Sequence, residues 1–222
     1  MIRIFLISFL ILSLSINSAV AGLIVGNDIP TSLEINALPE SDTDIFLYLE
    51  QEDFTLTSEL AVDYLATTGL SGNILLGTKV NSFVFNYDAV GIDYNRGSFN
   101  SAISHLFDTK ILAIIWSGYR SDIVNQPLSD NNLDASDGIL GLGNVSYATG
   151  TNGRGLEVES LYDANGTRDS FTVSGKQIDL SLFVRAPYAD QLRVITAAKI
   201  PEPTAILLFG TALCLFGFRR FS

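Results

Sequence analysis

Phe171-Thr172-Val173-Ser174-Gly175-Lys176-Gln177-Ile178-Asp179-Leu180-Ser181-Leu182 is the stretch whose reading decides the fold. Apolar and polar residues alternate along both of its arms. Successive side chains leave a strand on opposite faces, so a period of two marks a half-buried β-strand. Ile178, Leu180 and Leu182 fall on one face, Asp179 and Ser181 on the other. Ser174-Gly175-Lys176 separates the arms, and glycine supplies the positive φ that a tight hairpin turn requires. The stretch predicts an antiparallel hairpin.

The same pattern recurs outward from it. Ile45–Leu49, Phe54–Thr57, Leu60–Tyr64 and Val80–Asp88 read as strands, the last with Phe83, Phe85 and Tyr87 on one face. Phe99, Ser101 and Ile103 alternate with their neighbours, as do Leu156–Glu159 and Leu192–Thr196. Ile111–Trp116 is continuously apolar, which fits a strand buried on both faces. Gly69, Gly72 and Gly77 punctuate one connection, and only Leu133–Leu140 looks locally helical. Short strands, turn-rich connections and no long amphipathic helix predict an all-β fold, an antiparallel two-sheet sandwich of jelly-roll-like type. It should occupy residues 44–197, after an irregular lead over 22–43 that carries Pro30 and Pro39.

The two ends are read apart from the fold. Met1-Ile2-Arg3, the apolar Ile4–Ile16 and Ala19-Val20-Ala21 have the order of a secretory signal peptide, residues 1–21, cleaved after Ala21. At the other end, residues 198–222 comprise Pro201-Glu202-Pro203, an uncharged apolar segment over 204–218 and the pair Arg219-Arg220. Two prolines isolate the tail from the domain, and the arginines stop an apolar helix on the cytoplasmic side of a membrane. As a helix, residues 204–218 would rise about 22 Å, short of a bilayer core of ~30 Å. The segment therefore spans as a transmembrane helix only with help from Ile200 and the arginine stems, or where the bilayer thins.

The whole chain has a net charge of −11, with 13 basic and 24 acidic residues. Setting aside Arg3, Arg219, Arg220 and Glu202 leaves 10 basic against 23 acidic, a net of −13 for the body. Such acidity argues against nucleic acid and against docking on anionic lipid. The single cysteine, Cys214, lies in the tail, so the body has no thiol nucleophile, thiolate metal site or disulfide.

The order Pro-Glu-Pro, apolar segment, basic pair, in a chain that opens with an export signal, resembles the PEP-CTERM sorting signal of exported Gram-negative bacterial proteins. The resemblance implies that an exosortase-type enzyme recognises Pro201, Glu202 and Pro203 and processes the tail, with Arg219 and Arg220 as its terminal basic pair. It also implies transit through the inner membrane to the cell surface or extracellular matrix, in a biofilm setting rich in exopolysaccharide. The body is similar to a recurring PEP-CTERM ectodomain through four stretches: Leu47-Tyr48-Leu49-Glu50-Gln51 with Leu56-Thr57, Val80-Asn81-Ser82, Leu133-Asp134-Ala135-Ser136-Asp137, and Asp190–Thr196. That likeness implies fold and location and no chemistry.

Candidate chemistry in the body is sparse. His105 is the only histidine, without a Gly-x-Ser-x-Gly elbow to accompany it, and reads as an ordinary partly exposed side chain. Glu50 and Glu52, with Asp53 beside them, should share one strand face. That face is either simply solvated or, in a hydrolase, holds two carboxylates near a glycosidic bond. Asp130, Asn132, Asp134 and Asp137 form the densest set of oxygen ligands, a candidate calcium loop or else a turn entering a short helix with Asp130 or Asp134 as N-cap. Trp116, Tyr119 and Arg120 are a candidate carbohydrate contact, unless Trp116 belongs to the core. Asn144-Val145-Ser146 and Asn165-Gly166-Thr167 read as turns. The expectation is an exported, non-catalytic surface or matrix protein with no cofactor. A carbohydrate-active hydrolase and a calcium-dependent carbohydrate-binding module are the alternatives.

Overall fold

The computed structural model describes residues 22–26, 28–120, 128–150, 154–156 and 169–199, without the side chains of 119, 120 and 128–130. The signal peptide with Ala19 and Ala21, the sorting tail from Ile200 onward with its segment 204–218, Glu157–Glu159 and Asn165–Thr167 lie outside the described residues. Among those described, no helix is long and apolar enough to cross a membrane.

In chain order the strands are β1 (Leu23–Gly26), β2 (Ser32–Leu33), β3 (Ile45–Thr55), β4 (Leu60–Val62), β5 (Tyr64–Leu65), β6 (Gly72–Ile74) and β7 (Lys79–Asp88). There follow β8 (Ser98–Leu106), β9 (Ile111–Trp116), β10 (Gly118–Arg120), β11 (Leu128–Asp130), helix α1 (Asn132–Leu140), β12 (Ser146–Tyr147), β13 (Ser170–Ser174), β14 (Gln177–Arg185) and β15 (Ala189–Ala197). The protein is β-rich. The founding hairpin forms as β13 and β14, with Ser174 opposite Gln177 and Gly175 at φ 64°.

Six strands make the main sheet in the order β1-β3-β7-β15-β9-β5, and a three-stranded sheet has the order β13-β14-β8. Ile178, Leu180, Leu182 and Val184 of β14 pack onto Ile45, Leu47, Phe85, Ile114, Leu192 and Val194 of the main sheet, forming the largest apolar cluster. The alternation that predicted β14 therefore places its apolar face as expected.

Two features differ from the expectation. The lead is not irregular throughout: Leu23–Gly26 pairs with β3 in parallel, and β2 pairs in parallel with β12. An edge strand offers a row of unpaired backbone groups, and β1 satisfies those of β3. Leu33 enters the core. Second, the far face of the main sheet is also covered. Leu133 and Leu140 of α1, together with Leu60, Val62 and Ile74 of the β4–β6 hairpin, pack on Val80, Ala113, Ile115 and Ile195. Leu33 and Val145 pack on Phe46, Tyr48 and Val84. As a result β7 and β15 are buried on both sides, and the polar positions between their apolar ones are buried as well.

Candidate functional site

Those buried polar positions build the site. Glu50 follows Phe46 and Tyr48 on the far face, where β3 loses register with β7: Leu49 lies opposite Phe83, but Gln51 lies opposite Ser82. Glu50 is the extra residue of a β-bulge, a device that bends a strand and re-aims a side chain. A second register shift lies between Gln51 and Phe54, where Asp53 has φ 50° and its amide donates to Asn81 Oδ1 at 2.9 Å. The two irregularities separate the carboxylates expected to share a face. Glu50 is 4 % exposed, whereas Glu52 and Asp53 face solvent. The expected pair is divided, with Glu50 inside and Glu52 and Asp53 in solvent.

Arg193, in the middle of β15 and 0 % exposed, meets Glu50 side-on. Its Nε donates to Oε2 at 2.7 Å and its Nη2 to Oε1 at 2.6 Å, the forked geometry that makes arginine–carboxylate pairs strong. Ser82 and the Tyr147 hydroxyl each donate to Glu50 at 2.7 Å, so both carboxylate oxygens carry two donors. Arg193 also reaches α1, through Nη2 to Asp137 at 2.8 Å and through Nη1 to Ser136 Oγ. Asp137 in turn accepts from Arg154, likewise 0 % exposed, at 2.5 Å. Arg154 Nη1 also donates to the Ala148 carbonyl at 2.6 Å, and it lies 3.4 Å from Asp134. The Tyr147 ring lies 5.9 Å from each guanidinium carbon.

The charges alternate along this chain: Glu50, Arg193, Asp137, Arg154, Asp134. Burial works against the Arg193 charge, but Glu50 and then Asp137 more than offset it, so the guanidinium pKa is raised and it stays ionised. Burial, followed by the Glu50 charge, pushes the Tyr147 hydroxyl up, which keeps it a donor. Sequence reading missed Arg193, Arg154, Ser82 and Tyr147. The available signal was one basic residue inside the otherwise apolar run Leu192–Ile195 and one acidic residue directly after the apolar run Ile45–Leu49.

No family model, curated protein or solved structure is significantly similar to the chain. Four stretches, Leu47–Gln51, Val80–Ser82, Leu133–Asp137 and Asp190–Thr196, nevertheless have a common physical meaning. They supply Glu50, Ser82, Ser136 with Asp137, and Arg193, which meet in this one cluster. Gln51 adds a bond from Nε2 to the Leu140 carbonyl at 2.9 Å.

The other candidates are dispersed. In the candidate calcium loop, Asp134 and Asp137 are engaged by Arg154, and Asn132 donates to Asp63 at 2.6 Å. Asn131 is the helix N-cap position, without a capping side-chain bond, so neither Asp130 nor Asp134 caps α1. Asp134 Oδ2 instead accepts from the Gly150 amide at 2.8 Å. Among the described residues no group of three His, Cys, Asp or Glu is arranged for a metal ion. The Trp116 ring packs edge-on against Phe171, with centroids 5.3 Å apart, at the margin of the main core. Tyr119 and Arg120 form backbone pairs with Ser129 and Leu128. His105 is half-buried with its ring against Phe107, and burial lowers its pKa.

Proposed function

We propose that the protein is an exported, non-catalytic module of the cell surface or extracellular matrix, delivered through its PEP-CTERM tail to an exopolysaccharide-rich setting. The ectodomain in this reading is a jelly-roll-like two-sheet sandwich backed by α1. The observation that carries the proposal is the convergence of the four ectodomain stretches on one buried ion cluster. Residues shared by a recurring ectodomain for its chemistry belong in a cleft; these lie in the interior, tied to one another. Glu50, the best-placed candidate for an acid or base, has every oxygen occupied by Arg193, Ser82 and Tyr147. That leaves neither oxygen free to face a substrate. The hydrolase reading loses its carboxylate pair, and the calcium reading must take two of its ligands from Arg154.

The test is a change of Pro201, Glu202 and Pro203 to alanine, expressed in a host with an exosortase-type enzyme. The unaltered chain should lose mass at its C-terminus and leave the inner membrane fraction. The altered chain should keep its full tail and stay in that membrane. Identical masses and locations for the two would overturn the reading.

A further inference from the structure

The chain contains four lysines, Lys79, Lys110, Lys176 and Lys199, and all are exposed. The topology brings them to one end of the sandwich. The Ala197 amide donates to the Lys110 carbonyl at 2.9 Å and the Ala198 amide to the Lys79 carbonyl at 3.3 Å, so these two lysines flank the last residues of β15. The hairpin turn holding Lys176 lies beside them, with the Ile111 amide bonded to Gly175 and Lys176 Nζ to the Asp108 carbonyl. Lys199 is where the described chain leaves the domain, toward the Pro-Glu-Pro box and the apolar segment.

Exposed leucines occupy the same end. Leu75 and Leu76, 65 % and 62 % exposed, form the turn that leads straight into Lys79. Leu106, 68 % exposed, ends β8 opposite Gln177, next to Lys176. Leu70, 69 % exposed, accepts at its carbonyl from the amide of Leu65, which pairs with Ala113 near the start of β9. Large apolar side chains set among lysines are what a surface needs to rest in the headgroup layer of a bilayer. Lys199 is paired with Asp108 at 2.7 Å, and Glu52 and Asp53 are close by. Lys79 and Lys110 have no ion pair among the described residues.

We propose that this end of the domain is a lipid-docking surface, seated on a bilayer with anionic headgroups while the tail is in the membrane. The proposal rests on the sorting-tail reading for its setting. It reverses the expectation that an acidic body avoids anionic lipid. Net charge averages over the whole surface, whereas all four lysines gather at this end, where they face Glu52, Asp53, Asp108 and, across from Leu75, Glu59. The opposite end carries Glu40, Asp42, Asp88 and Asp93, where Asp42 pairs with Arg96. A second copy of the chain fits the surface poorly, because an isologous contact would set lysines against lysines.

The test uses the full chain, with one dye-labelled cysteine at a time, in vesicles of phosphatidylglycerol and phosphatidylethanolamine doped with a quenching lipid. The native Cys214 reports on the tail. With Cys214→Ser as background, Leu76→Cys reports on the proposed surface and Ile92→Cys on the opposite end. Quenching is expected at 76 and 214 and not at 92, weakening with salt. Lys79→Glu with Lys110→Glu should lower quenching at 76 at least tenfold, at about fivefold per lysine near an anionic surface, and leave 214 unchanged. Quenching at 214 alone overturns the docking surface and leaves the tail reading intact. Quenching at 76 without 214 keeps the surface and defeats the tail reading. Equal quenching at 76 and 92 overturns docking. So does a dye shift at 76 in lipid-free chain at rising concentration, which marks self-association, or one seen only in membranes containing the processing enzyme.

Discussion

The two faces of β15 are held by different physics. Leu192 and Val194 point into the apolar layer shared with β14, while Gln191 and Arg193 point toward β2 and α1. On the first face any well-packed set of apolar groups of the right volume serves. On the second, Arg193 must find Glu50, Asp137 and Ser136 at fixed distances, and Gln191 Nε2 donates to the Leu33 carbonyl at 2.8 Å and to Asn86 at 2.7 Å. The apolar face supplies most of the driving force for folding. The ionic face selects one register of β15 and one seating of α1, since a slip by one residue would bury Arg193 among leucines.

The largest effect should come from breaking the ionic face on one side only. Arg193→Ala leaves Glu50 buried without its counterion, while Asp137 keeps Arg154, and loss of one partner of a buried pair costs about 3–5 kcal/mol. Urea denaturation should show this as a large fall in midpoint. Removing both charges, with Glu50→Leu and Arg193→Met together, should recover most of the loss, because apolar groups of similar volume often replace a buried pair at little cost. If the double variant is as unstable as the single one, the face is held by more than charge compensation. The apolar face gives the next largest effect. Leu182→Ala should cost ~3 kcal/mol from lost burial and a residual cavity, with no partner substitution able to rescue it. Rescue by a second site, measured in the same titration, would make the two faces alike.

The apolar face was legible in the sequence and the ionic one was not. Ile178, Leu180 and Leu182 announce their strand by period two, and Ile111–Trp116 announces burial by having no polar positions. Leu133–Leu140 declares its short helix, which the structure places at Asn132–Leu140. Glu50 stayed hidden because a charged residue after an apolar run reads as solvent-facing, and the bulge that parts it from Glu52 has no sequence marker. Its partner lies 143 residues away, so neither explains the other locally. The stretches around Glu50, Ser82, Asp137 and Arg193 held the cluster as separate fragments; only the pairing of β3, β7 and β15 and the seating of α1 join them.

Asp88 sharpens the comparison with the smallest change. It lies on the same strand and face as Ser82 and is equally buried, but no arginine meets it. Its Oδ2 accepts from the Asn36 amide at 2.9 Å, and its Oδ1 has no partner among the described residues. Burial raises its pKa, the Asn36 amide lowers it and Glu40 raises it further, leaving it pushed up from 3.8 to about 7. The folded chain therefore keeps this proton until about pH 7, while the unfolded chain loses it near pH 4. Between those values the native state binds more protons, so this residue's contribution to stability is full below the window and is lost as pH rises through it. Asp88→Asn keeps an acceptor for Asn36 and cannot ionise. Its Tm should match that of the unaltered chain at pH 4 and exceed it by a few degrees at pH 8. A variant that is less stable at pH 8 would mean that the Asp88 carboxylate, like Glu50, is compensated in its charged form, and the contrast between the two acids would fail.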